Sequence, residues 1–378
     1  MNNNYSKFYS KPLIFKLMYY TIAMPLAVII GLLPRKKGLV IFGSMNGFDI
    51  ADNSKYKFIN EYSDNKYFIT KNKSKLKKPI LDDVYPIYSL SLFGIYLQIR
   101  AERVYYTHSI FDFSAMLISG AKKTALWHGV AIKEIGPYAD WKALPTPLLH
   151  LRRCLAKIFQ YNYYMNCDEV ICPFPELEED YKRYFSVSKP KLLFTPQPRT
   201  LYAPKLPKTR SILYAPTFRP VNDKSDCFSQ LLKNINLFAP EVSNFLFTNS
   251  LKLVIRPHPI DKEYIQNIKL PEHMYVDSTG DLYSSINSYM LVITDFSSIY
   301  YDCLSLGIKC LLLAPDLEEY DKEVGLSSAY KETFQKTGFR TFTELIRACH
   351  MNSPTTNVIP SGGGMQTFER HHMNSVKD

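Results

Sequence analysis

The sequence predicts an α/β protein of two halves, each a mainly parallel sheet covered by helices. Three observations predict it. Short apolar runs rich in Val, Ile, Tyr and Phe recur and rarely alternate with polar residues, as strands buried on both faces require. Helix-length stretches separate them. The pattern stops at a Pro- and Lys-rich connector, YAPKLPKTR at 202–210, and then restarts. At 378 residues the chain is long enough for two ordinary domains and too long for one typical core.

The first element is LMYYTIAMPLAVIIGLL, 17–33, which carries no charge. Lys11 and Lys16 precede it, and Arg35, Lys36 and Lys37 follow. As a helix it covers about 25 Å, short of the ~30 Å hydrocarbon core. Pro25 interrupts it, basic residues on both sides supply no orientation, and no small-x-small cleavage site follows. The expectation is a helix lying in or partly entering the cytoplasmic leaflet, ahead of a true span or a plain buried helix.

Strands are expected at 38–44 (GLVIFGS), 66–70 (KYFIT), 103–109 (RVYYTHS), 123–129 (KTALWHG), 169–174 (EVICPF) and 191–198 (KLLFTPQP). DNSKYKFINEY, 52–62, has the start and amphipathic continuation of an N-capped helix, which explains it without a functional role. Lys71, Lys73, Lys75, Lys77 and Lys78 read as a solvated loop, with anionic lipid as the alternative partner. SLSLFGIYLQIRA, 89–101, is of helix length. PLLHLRRCLAKIFQYNYY, 147–164, sets Leu148, Leu151, Leu155, Ile158 and Phe159 on one face and Arg152, Arg153 and Lys157 near the other. That suits core packing or a membrane surface. Beyond the connector, strands are expected at 211–218, 251–259, 274–279, 289–298 and 309–316, and the stretch 362–372 as a loop and short helix.

Composition narrows the function classes. Hydrophobic residues at 46% exclude global disorder, and aromatics at 14% suit half-wet surfaces such as carbohydrate clefts or membrane interfaces. A net charge of +11 predicts attraction to polyanions: nucleic acid, an anionic membrane face or a phosphate-bearing substrate. No nucleic-acid motif is present. The seven cysteines are scattered without a C-x-x-C pair, so neither zinc-ligand spacing nor a disulfide framework exists. They read as small buried hydrophobes in a reducing compartment.

In open parallel sheets, ligands collect beyond the carboxyl ends of strands. Four polar motifs fall at such ends: WHG, APTFR, RPHP and TDFSS. His128, beside Gly129 and close to Lys133, is either structural or a base for an alcohol, since an imidazole titrating near neutrality suits proton removal. Gly129 leaves room for a ligand. Thr217 and Arg219 share one side of an extended segment, as do Arg256 and His258, so each pair can reach one diphosphate. A salt-bridged arginine and a solvated histidine are the bland alternative. In TDFSSIYYDCLSLG, 294–307, the strand runs into Asp295, and Ser297 and Ser298 open a helix with Ile299, Cys303 and Leu306 inward and Gly307 at its end. The serines are ordinary caps, or the helix start holds a phosphate. No Gly-rich nucleotide loop accompanies them. Neither a metal-ligand cluster nor an acidic pair competes for the catalytic role, so no cofactor is expected.

Together these pieces resemble the CDP-glycerol glycerophosphotransferase family, the teichoic acid primases and polymerases of bacteria. VIFGS with DNSKY, WHG with Lys133, APTFR, RPHP, TDFSSIYYDCLSLG and PDLEEY (315–320) occur in the family's order over roughly 38–322. The resemblance implies a GT-B-like architecture of two Rossmann-like domains facing a central cleft. The apolar run sets 1–37 apart as a membrane-associating segment, and the resemblance makes 38–205 an acceptor domain and 206–378 a CDP-alditol donor domain. His128 matches the family's proposed base. His258 and the Ser297–Ser298 helix start match its donor-phosphate site, and Arg219, Arg256 and Asp295 join them by the strand-end argument. Two departures stand out: Thr195-Pro196-Gln197-Pro198-Arg199-Thr200 lacks the family's Asp, and Glu323-Val324-Gly325-Leu326 replaces an Arg-Gly-Phe-Tyr-like stretch.

The reaction so implied moves an alditol phosphate, glycerol phosphate first, from a CDP-alditol to a hydroxyl of a lipid-linked or polymeric glycan acceptor, releasing CMP. The cytoplasmic face of the membrane, with its anionic inner leaflet, is the expected location. A GT-B glycosyltransferase using a nucleotide sugar is the alternative within enzymes. A basic membrane-binding protein is the alternative outside them.

Overall fold

A computed structural model of the chain describes residues 25–136, 165–219, 227–265, 268–277 and 280–351, with isolated positions 147, 150 and 154. Most of the 17–33 segment, the 147–164 stretch and the 362–372 tail therefore lie outside the described residues. The described part of the first segment, 25–32, is helical. It buries Ala27 and Ile30 and exposes Leu26, Val28, Ile29 and Leu32. Among the described residues, no helix is long and apolar enough to cross a membrane.

The chain forms two compact units. The first takes the described residues up to Val130 together with Ile135–Tyr202; the second takes Ala131–Glu134 and the described residues from Ala203 onward.

The first unit is built on seven strands: β1 Lys36–Phe42, β2 Lys66–Thr70, β3 Ile87–Tyr88, β4 Ala101–Tyr106, β5 Lys122–Ala125, β6 Glu169–Ile171 and β7 Lys191–Leu193. Every pairing is parallel, in the order β3-β2-β1-β4-β5-β6-β7. The order reverses between β1 and β4, and in open parallel sheets ligands collect beyond the carboxyl ends at such a reversal. Helices Asp52–Ile59 and Leu92–Arg100 return the chain between strands. Phe42, Phe58 and Phe68 join strand to helix in one buried cluster, with Phe42 and Phe58 edge to face at 5.3 Å. Such aromatic pairs add about 0.5–1.5 kcal/mol beyond their buried area.

The second unit repeats the plan on five strands: β8 Thr209–Ala215, β9 Lys252–Ile255, β10 Met274–Val276, β11 Tyr289–Thr294 and β12 Cys310–Leu312. All pair in parallel in the order β10-β9-β8-β11-β12, so the reversal falls between β8 and β11. Its core joins Leu253, Ile255, Leu291 and Ile293 of the sheet to Phe228, Leu232, Leu246 and Phe342 of the helices.

Several strands end earlier than the apolar runs suggest. The run 123–129 is strand only to Ala125, and 289–298 only to Thr294. Leu126, Trp127 and Phe296 in the extra residues are buried loop, apolar for the same reason a strand is. The two-residue β3 was not expected, because an edge strand so short leaves no pattern. The Ile299–Leu306 helix buries Tyr300, Tyr301, Asp302 and Cys303, so of the expected inward residues Cys303 is buried while Ile299 and Leu306 are only half-buried. Buried Asp302 is satisfied by the Tyr283 hydroxyl at 2.5 Å. Gly307 does end this helix, in the left-handed conformation (φ 66°) that favours glycine.

Candidate functional site

The WHG turn follows β5. The Leu126 amide still bonds Tyr106 O of β4 at 2.8 Å, and then the backbone turns sharply: Trp127 has φ 57° and Gly129 has φ 133°. The second value is closed to residues with a side chain, so the turn by itself requires glycine at 129. The indole of Trp127 is buried, whereas His128 is exposed. His128 Nδ1 lies 3.3 Å from the Thr107 carbonyl. A proton on Nδ1 makes that contact a hydrogen bond and leaves Nε2 with its lone pair.

Three side chains that the sequence pattern left out hold this turn. Buried Asn53 donates Nδ2–H to Trp127 O at 2.7 Å, and its Oδ1 accepts the Arg199 amide at 2.9 Å. Arg199, also buried, donates Nη1–H to His128 O at 3.0 Å and to Asp52 Oδ1 at 2.8 Å. Burial pushes the Asp52 carboxyl up, but the Arg199 guanidinium, His108 and His128 outweigh it and hold it below its ordinary value. So Asp52-Asn53-Ser54 is not merely a helix cap. The cap residue is Ala51, Asp52 itself sits at φ 60°, and Ser54 donates to Gly43 O at 2.6 Å.

His108 follows β4 and stacks on His128, ring centroids 4.5 Å apart and 15° from parallel. Burial, helped by His128, pushes its pKa down to about 3. The loops beyond β1 and β4 are tied together by Asp112, which accepts the amides of Asn46 at 2.6 Å and Thr107 at 2.8 Å. Complete burial raises Asp112 to about 6 despite those bonds. Lys71, expected in a solvated run, donates to Phe111 O at 2.6 Å, and burial lowers it to about 8 although Asp112 opposes the shift.

In the second unit the strand-end residues gather beyond β8, β9 and β11. Asp295, fully buried, accepts the Thr217 amide at 2.7 Å and the Arg219 guanidinium at 2.7 Å. Arg219 also grips Asp316 in a bidentate pair, Nε at 2.6 Å and Nη2 at 3.0 Å, and donates to Thr217 O. Burial lowers the Arg219 pKa, but Asp295 and Asp316 outweigh it and hold the guanidinium far above its ordinary value. The cation lies over the stacked rings of Phe296 and Tyr320. Arg219 thus fixes three loops, and its donors are largely committed to carboxylates. Arg256 is likewise paired with Asp277 and donates to Gly280 O.

Lys133 differs. Ala131–Glu134 joins the second unit through an antiparallel bridge from Lys133 to Leu326, a hydrogen bond from the Ser327 amide to Ile132 O at 2.9 Å and one from the Glu134 amide to Gly325 O at 3.2 Å. The Lys133 ammonium lies 5.3 Å from the Tyr320 ring centroid, without an ion pair among the described residues. Burial lowers its pKa, Asp295 opposing and Arg219 assisting. His258 feels that ammonium: burial and then Lys133 lower its pKa. Its Nδ1 accepts the Ile260 amide at 3.3 Å, which leaves Nε2–H as a donor. Thr217 Oγ1 is buried with no hydrogen-bond partner among the described residues. Ser297 Oγ accepts the Ile299 amide at 3.3 Å, and Ser298 is the N-cap of the Ile299–Leu306 helix without a side-chain cap bond.

The chain matches known proteins along most of its length. Residues 26–358 match the family model described as CDP-Glycerol:Poly(glycerophosphate) glycerophosphotransferase. The chain is 25% identical over 348 residues to a teichoic acid poly(glycerol phosphate) polymerase of Bacillus spizizenii, covering 85% of each. It is 26% identical over 350 residues to a teichoic acid glycerol-phosphate transferase of Staphylococcus aureus, again covering 85% of each. In fold it is similar to the wall teichoic acid polymerase TagF, with a TM-score of 0.58 at 18% identity, over 88% of this chain and 85% of that one.

Proposed function

The chain belongs to the CDP-glycerol:poly(glycerophosphate) glycerophosphotransferase family and is an enzyme of that type, and from that premise we propose how its residues divide the reaction. The acceptor is a hydroxyl at the end of a glycerophosphate polymer or its lipid-linked precursor. His128 Nε2 takes the hydroxyl proton. The oxygen attacks the glycerol-side phosphorus of CDP-glycerol, the bond to the bridging oxygen breaks, and CMP leaves with that electron pair. The observation that carries this is the exposed His128 ring with Nδ1 3.3 Å from the Thr107 carbonyl, a contact that a proton on Nδ1 satisfies.

The donor phosphates fall to the second unit. Lys133 supplies charge, while His258 Nε2–H, the unpartnered Thr217 hydroxyl, Ser297, Ser298 and the start of the Ile299–Leu306 helix supply donors. Arg219, Asp295 and Arg256 shape that pocket through their ion pairs rather than by gripping phosphate. To test the class, purified protein is offered CDP-glycerol, CDP-ribitol and nucleotide sugars with a glycerophosphate-primed acceptor. CMP release from CDP-glycerol, with product mass growing by glycerol phosphate, is expected. Transfer from a sugar nucleotide alone would sink the proposal.

The same reading puts the enzyme on the cytoplasmic face of the membrane as a peripheral protein. The 25–32 helix offers Leu26, Val28, Ile29 and Leu32 to solvent, with exposed Lys36 and Lys37 following. Apolar side chains beside basic ones fit an anionic leaflet. Sedimentation with vesicles containing anionic lipid should fall at least about tenfold for Ile29→Asp with Leu32→Asp. Binding unchanged by the pair would remove this helix as the anchor.

A further inference from the structure

His108 stands beside the base with no part in the transfer described above. It begins the loop after β4, next to β1, where the strand order reverses and ligands of such sheets collect. Two bonds set its place. Its amide faces Asp112 Oδ2 at 3.4 Å, and its Nδ1 lies 2.9 Å from Thr107 Oγ1. The groups around it come from four segments: Asp52 on the Asp52–Ile59 helix, Arg199 on the Pro198–Leu201 turn, Asp112 in its own loop, and His128. With a pKa near 3 the ring is neutral at any working pH. The pair is therefore a stack of two rings and not a pair of repelling cations.

An exposed histidine on a turn has two side-chain torsions and, in water, favours the tautomer with its proton on Nε2. Neither suits a base that must present a bare Nε2 in one direction. The Thr107 carbonyl can hold the opposite tautomer only while the His128 ring stays in the plane that brings Nδ1 to it. His108 lies 15° from parallel to that plane, and Trp127 touches the same ring at 5.0 Å. We propose that His108 is a positioning residue for the transfer: its flat face holds the His128 ring in the plane where Nδ1 meets the Thr107 carbonyl, so that Nε2 carries the lone pair that takes the acceptor proton. The proposal rests on the reading of His128 as the base. It assigns His108 no proton of its own.

Two measurements on the full chain test it. In ¹⁵N-histidine-labelled protein, His128 should appear as the Nδ1–H tautomer, and His108→Ala should move it toward Nε2–H. In steady-state assays His108→Ala should lower kcat about 10- to 100-fold, the scale of a misplaced catalytic group. KM for CDP-glycerol should stay within about twofold, because the donor is held elsewhere. His108→Phe, which keeps a flat face, should recover kcat to within about threefold of wild type. His108→Asn, which keeps polarity but no ring, should not recover it, and the Phe–Asn comparison decides if the alanine chain does not fold. Equal rates for Phe and Asn, or wild-type kcat and tautomer in His108→Ala, overturn the proposal. If His128→Ala is inactive while His108→Ala is wild type, the positioning role fails and the base survives. Wild-type activity in His128→Ala would mean that the base reading itself is wrong.

Discussion

Replacing His128 by alanine should lower CMP release from CDP-glycerol about a hundred- to ten-thousandfold, the range general-base catalysis contributes. The fold should survive, because the ring is exposed and the turn is held by backbone carbonyls: Trp127 O by Asn53 and His128 O by Arg199. KM for CDP-glycerol should move less than about twofold, since the proposed phosphate ligands belong to the second unit. A kcat within about threefold of wild type, with an unchanged melting curve, would assign the proton transfer to another group.

Arg219→Met should cost about 3–5 kcal/mol of stability, the typical effect of removing one partner of a buried ion pair. Asp295 is fully buried and takes its charged partner from Arg219 at 2.7 Å, so the substitution strands a carboxylate away from water. Asp316 loses both arms of its bidentate pair, and the rings of Phe296 and Tyr320 lose the cation above them. Adding Asp295→Asn to Arg219→Met should restore part of the loss, because the double variant no longer buries a lone charge. Urea unfolding followed by circular dichroism measures both. A single variant within about 1 kcal/mol of wild type would show that the network is dispensable.

The architecture was legible in the sequence because parallel strands buried on both faces leave unbroken apolar runs, and every strand but β3 overlaps a stretch that reads as strand from its residues alone. The order of strands was not legible, since nothing in a run of Val and Ile says which neighbour it pairs with. At the site, single-residue signals fared unevenly. His128 and His258 stood out as lone imidazoles beside Gly or Pro. Arg219 also stood out, but a guanidinium aimed at phosphate and one aimed at two aspartates look alike in a linear sequence. Asp316 and Tyr320 lie about a hundred residues away from it, so their partnership is invisible without the fold. Asn53 was hidden by a better-known role: an Asp-Asn-Ser run is so ordinary at a helix start that its contact with Trp127 O left no trace. His108 was masked by position inside an apparent strand, RVYYTHS, which in fact ends at Tyr106.

The strap Ala131–Glu134 has a consequence for how such a protein can be inherited or rebuilt. The chain leaves the first unit after Val130, contributes four residues to the second, and returns at Ile135. Cutting at the connector near Tyr202 therefore does not yield two self-sufficient pieces. A second half begun at Ala203 lacks the partner of Leu326 and the lysine beside Tyr320. Recombination at the connector between two relatives would pair one parent's Lys133 strap with the other parent's receiving loop at Gly325–Ser327. A chimera that ignores the strap therefore exchanges four residues of the second unit along with the first unit.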